Sequence, residues 1–149
     1  MRIYITVTVI CVYICLFCSE KETIHHVFFD CVVAKQCWKI VSGILGVQIG
    51  VDLVNVGTYW LSNKKNCVLN IISSAVIWSV WKLRNDICFQ RIGWRGMEML
   101  LGRIVGLLLS WMVICPVDMK DSLKECIDKI KTAASRVLWL PFVSSQVTT

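Results

Sequence analysis

The chain has 149 residues and a net charge of +6, enough length for one domain with a modest core. It is 56% hydrophobic with seven Trp and only 17% charged residues, so its surface will be sticky unless it belongs to a larger polypeptide or meets a partner. Nine Cys, an odd number scattered through apolar segments, argue against a disulfide framework, and two adjacent His leave no spare imidazole for acid–base chemistry.

Residues 1–14 form an atypical apolar start. Arg2 followed by the run Ile3–Phe17 resembles a secretory signal, but Leu16-Phe17-Cys18 is a poor cleavage site and removal there would take Cys15 away. The run is also short of the roughly 20 residues a membrane-crossing helix needs, and its Thr and Val residues favour a strand. The expectation is a replaced upstream part of a longer protein and an intracellular chain, nuclear or cytoplasmic.

Residues 15–45 are expected to form a metal knuckle and a first helix. Cys15, Cys18, His26 and Cys31 read as C-x2-C-x7-H-x4-C, and thiolates with imidazole are preferred ligands of Zn²⁺. The two-residue gap lets two sulfurs approach one ion from a tight turn. His26 fits the fourth position better than His25, which is the reserve ligand. Four ligands close the tetrahedron and imply a structural ion. Two other readings stand beside this one: Cys15 and Cys18 as small buried hydrophobes, or as a C-x-x-C redox pair, although no βαβ pattern surrounds them.

From Asp30, a candidate cap, apolar residues recur at helical spacing through Trp38 to Gly46; Trp38 reads as a core anchor near the metal site. Residues 46–115 continue as helices with a basic middle. A short helix is expected over Asp52–Leu61, a polar break at Ser62–Asn66, a long helix from Cys67 to about Arg91, and another over Met97–Cys115 that Pro116 stops. Residues 116–142 hold an amphipathic helix with Leu123, Ile127 and Ile130 on its buried stripe, and residues 143–149 are expected to be a disordered tail. The fold class is mainly α: a small zinc knuckle followed by a bundle of four to five helices.

The charge is uneven. Residues 62–103 carry seven basic side chains against Asp86 and Glu98, whereas residues 1–61 balance at four and four. Lys64, Lys65, Lys82, Arg84, Arg91 and Arg95 are therefore candidate contacts for RNA or DNA phosphates. The other reading is that they keep an apolar helix wet, with Arg84 tied to Asp86 or to a helix end.

Two blocks carry a resemblance. Cys15-x2-Cys18, Glu22-Thr23-Ile24, His26-Val-Phe-Phe-Asp-Cys31 and Ala34-Lys35-Gln36-Cys37-Trp38 form the first; Trp78-x2-Trp81-Lys82-x-Arg84-Asn85-x3-Phe89 forms the second. Together they resemble the zinc-binding domain at the C-terminal end of plant LINE-type (non-LTR) retrotransposon reverse transcriptases. The chain departs from that pattern at Leu16 and Val32, where the family favours proline. The resemblance implies an accessory domain without the polymerase, because no paired aspartates in a strand hairpin are present. It further implies a non-catalytic role with nucleic acid or a larger reverse-transcriptase polypeptide as partner, and no small-molecule substrate. Docking against the missing polymerase, and membrane association through Ile3–Phe17 or Leu100–Ile114, are the alternatives; the membrane is the less favoured.

Overall fold

The structure, a computed structural model, describes residues 14–60, 64–89 and 91–139. The signal-like segment before Ile14 and the expected tail over 143–149 lie outside these residues. Among them the fold is mainly α, as expected: α1 (Val32–Leu45), α2 (Leu53–Trp60), α3 (Cys67–Cys88), α4 (Met97–Trp111) and α5 (Lys120–Trp139). No strand forms among the described residues; Ile14 and Lys21 make one isolated antiparallel bridge.

The helix ends follow local chemistry, with shifts. α1 stops at Gly46, whose φ of 70° suits glycine and whose N–H returns to Ser42 O at 2.9 Å. Asp30 does not cap α1; Cys31 holds that position, with φ −58° and ψ 143°, and the Asp30 carboxylate sits 3.1 Å from His25 Nε2 instead. α2 begins where Asp52 Oδ1 accepts the Asn55 N–H at 2.7 Å. α3 ends at Cys88, short of Arg91, because the Phe89 and Arg91 N–H groups turn back to the carbonyls of Asn85 and Asp86. α4 tightens into a 3₁₀ turn over Met112–Ile114 before Pro116, and α5 lies within the expected residues 116–142.

α4 is the centre of the bundle, between α3 and α5. Its Leu100, Leu101, Ile104 and Leu108 are fully buried, as are Leu123, Ile127 and Ile130 of α5 and Ile72, Ala75 and Val76 of α3. Each such Leu or Ile contributes about 1.5–3 kcal/mol by leaving water. The stripe expected on α5 is thus the one that packs. α3 differs: it buries Ser73, Ser79 and Asp86 along with its apolar residues, while Trp78 and Trp81 stay 53% and 42% exposed. Two helical segments, Cys67–Cys88 and Met97–Ile114, are long and apolar enough to cross a membrane by length and composition alone.

The loop between α1 and α2 is fixed to the second half of α1 and the start of α2. Ser42 Oγ donates to Ile49 O and accepts from Ile49 N–H, and Asn55 Oδ1 accepts from Gly50 and Val51. Gly50 has φ 91°, and a Cβ there would lie 2.0 Å from the Trp38 indole. Only glycine lets this backbone lie on Trp38.

Candidate metal centre

The first pair of candidate ligands comes from a tight turn. Cys15 N–H donates to Glu20 O and Ser19 N–H to Cys15 O, with Ser19 in the left-handed region at φ 61°. The second pair comes from one turn of helix. Thr23 Oγ1 accepts the His26 N–H at 3.0 Å and so starts the turn. Its end is a π-turn over His26–Asp30, in which Cys31 N–H reaches back five residues to His26 O at 2.7 Å. The x4 spacing is therefore locked by a backbone bond between the two ligand residues themselves.

These segments bring Cys15, Cys18, His26 and Cys31 together, with all four ligand atoms within 4.8 Å of one another. Cys15 Sγ is 3.5 Å from Cys31 Sγ, and Cys18 Sγ is 3.0 Å from His26 Nε2. Sulfurs held about 2.3 Å from a tetrahedral ion stand about 3.8 Å apart, so the cluster has the size such an ion requires. Cys15, His26 and Cys31 are buried. His26 Nδ1 faces Glu20 Oε2 at 3.9 Å, on the side away from the sulfurs. His25 points elsewhere: it pairs with Asp30 and its ring lies 5.5 Å from that of Phe29.

Two opposing influences act on the thiols. Burial raises the Cys15 thiol above its ordinary range, and burial with the neighbouring Cys15 pushes Cys31 up to about 12. Opposing this, backbone N–H groups of Phe17 and Cys18 point at Cys15 Sγ, and those of Val33 and Ala34 at Cys31 Sγ. Donors of this kind stabilise thiolates, and a coordinated cation deprotonates a thiol outright. Cys37 is fully buried outside the cluster, and burial pushes its thiol to about 12, which fits an inert core residue.

Three residues support the cluster: Glu20, which the sequence reading does not single out, and Thr23 and Glu22, which enter it only within the resemblance and with no role assigned. Thr23 precedes the turn at capping distance, a signal that was legible. Glu22 is not a local feature; its carboxylate forms a buried ion pair with Arg84 of α3. Trp38 packs against the π-turn, as expected of a core anchor: it is 3% exposed, donates from Nε1 to Phe28 O at 2.7 Å, and stacks on Phe29.

The basic candidates separate. Lys65, Lys82 and Arg95 are exposed, and Lys64 opens a 3₁₀ turn over Lys64–Asn66. Arg84 faces Glu22, not Asp86, and is largely buried, so its charge is answered within the fold. Arg91 is exposed but lies 3.4 Å from Asp86, whose other oxygen accepts from Arg103 at 2.7 Å.

No family model, no curated protein and no solved structure matches the chain.

Proposed function

We propose that this chain is a non-catalytic domain built on one structural Zn²⁺, similar in role to the accessory zinc-binding domain of LINE-type reverse transcriptases, and that it contacts single-stranded RNA. The observation that carries the metal reading is the convergence of three sulfurs and one imidazole within 4.8 Å. Cys15, Cys18, His26 and Cys31 would hold the ion, and soft thiolates with one imidazole favour zinc over magnesium or calcium. Four protein ligands leave no open position, which supports a structural rather than a hydrolytic ion. Cobalt substitution tests this directly: Co²⁺ added to reduced protein should give the visible absorption of a tetrahedral thiolate site, and one equivalent of Zn²⁺ should bleach it. Absence of those bands in folded, reduced protein would refute the reading.

The RNA reading draws on a different surface. Trp78 and Trp81 are exposed three residues apart on α3, with exposed Lys82 beside them. Indoles next to a cation suit bases and phosphates of a single strand. Retention on RNA that weakens as salt rises supports this reading; association indifferent to salt supports docking to a protein partner through the same indoles.

A further inference from the structure

We infer that the metal loop is the movable wall of a tryptophan-lined cleft, so that occupancy of the metal site sets the shape of an apolar surface on α3. The inference rests on the metal reading above. The cleft has a volume of about 540 Å³ and gathers Trp60 from the end of α2, Trp78 and Trp81 from α3, and Trp111 from the end of α4. Its remaining wall is formed by Ile24 and Phe28, and both belong to the segment between Cys18 and Cys31.

The helical walls are held by the core. Trp60 donates from Nε1 to Ser73 Oγ at 3.3 Å, and the buried residues of α3 and α4 pack on one another. The loop wall has weaker support. Ile24 is 79% exposed, whereas Val27 and Phe29 beyond it are buried, and two side-chain links join the loop to Trp81. The Phe28 ring lies 6.1 Å from that of Trp81, and Glu22 pairs with Arg84, whose guanidinium lies 5.7 Å over the same Trp81 ring. Trp81 is thus touched from the loop directly and through Arg84. An ion ties Cys18, His26 and Cys31 together and holds Ile24 and Phe28 in place between them. Without it the turn keeps Val27 and Phe29 in the core, the buried ion pair and the Trp38–Phe28 hydrogen bond, while exposed Ile24 and the stretch back to Cys18 lose their tether. A metal centre that closes a loop converts metal occupancy into local order.

The test uses the full, reduced chain. Trp81 emission is obtained as the difference between wild type and Trp81→Phe, with acrylamide as quencher, before and after zinc removal and after zinc return. Zinc content and far-ultraviolet circular dichroism are measured on the same samples. The expected result is a red shift and stronger quenching of the Trp81 component on zinc removal, reversed by zinc, with most of the helical signal retained. Phe28→Leu, which leaves all four ligands in place, should still bind one zinc yet move the loaded Trp81 component toward its zinc-free value. If the chain binds no zinc, the metal reading fails and takes this inference with it. If zinc binds stoichiometrically and the Trp81 component ignores its removal, this inference alone is overturned. Loss of the helical signal together with the Trp81 change would also overturn it, because the whole fold and not the wall would then answer to the metal.

Discussion

Glu22 and Arg84, sixty-two positions apart, form a buried ion pair that fastens the loop of the Cys/His cluster to α3, with side-chain exposures of 8% and 13%. Removing one partner of a buried pair leaves the other charge uncompensated, at a cost of about 3–5 kcal/mol. Glu22→Gln and Arg84→Met are each expected to lower stability by that order in urea denaturation. Arg84→Met should therefore act on folding, and RNA affinity per folded molecule should change little. A stability loss under 1 kcal/mol for both would show that the pair does not hold the loop.

Asp86 is shared by two arginines of unequal weight. Burial opposes its ionisation, but the bond and charge of Arg103, then Arg91 and Lys82, outweigh burial and hold its carboxyl below the ordinary range. A depressed carboxylate stabilises the fold above its unfolded value of about 3.9 and loses that contribution as pH falls through the folded value. Arg103→Met, which removes the 2.7 Å contact, should bring acid destabilisation on at higher pH than in wild type. Arg91→Met, which removes a 3.4 Å contact from a more exposed side chain, should have a smaller effect. Urea midpoints measured from pH 7 down to pH 3 distinguish the two.

Two substitutions read the backbone around the site. Gly50→Ala places a methyl against Trp38 at a φ of 91°, and strain with overpacking should destabilise by about 2 kcal/mol or more. Val32 is the first residue of α1, and Cys31 before it has ψ 143°, the extended geometry that precedes proline. Val32→Pro should raise stability by about 0.4–1 kcal/mol and leave metal content unchanged. Thermal and urea denaturation of the zinc-loaded variants measure both.

The Cys/His cluster and the helices were legible because both are local patterns. Short spacings placed Cys15, Cys18, His26 and Cys31 on two turns, and a 3.6-residue period marked Leu123, Ile127 and Ile130 on a helix with a polar outer face. The pairing of Glu22 with Arg84 was not legible, since nothing near either residue specifies a partner on another element. The outward face of α3 was hidden for the opposite reason. Apolar residues recur at Val68, Ile71, Ile72, Ala75, Trp78, Trp81 and Leu83, a wide stripe that groups Trp78 and Trp81 with the core residues, yet both turn outward because α4 takes the side bearing Ile72, Ala75 and Val76. The cap of α1 was misplaced by one residue, as the π-turn inserts an extra residue before Cys31.

The RNA reading also carries a number. With Arg84 held by Glu22, exposed Lys65, Lys82 and Arg95 remain as candidate phosphate contacts among the described residues. Three contacts to a single strand predict that log K falls with log salt at a slope of about −2. Replacing Lys65, Lys82 and Arg95 together with Gln should flatten the slope at unchanged stability. Binding that keeps its slope in the triple variant would place the contacts elsewhere.

Zinc content of the reduced, purified chain is the most direct measurement. The expected result is one zinc per chain, lost with Cys18→Ser or Cys31→Ser, strongly weakened by His26→Ala and retained by His25→Ala, whose ring faces Asp30 and not the sulfurs. Reduced, folded protein without zinc, or zinc that survives loss of Cys18 and Cys31 together, would contradict the account.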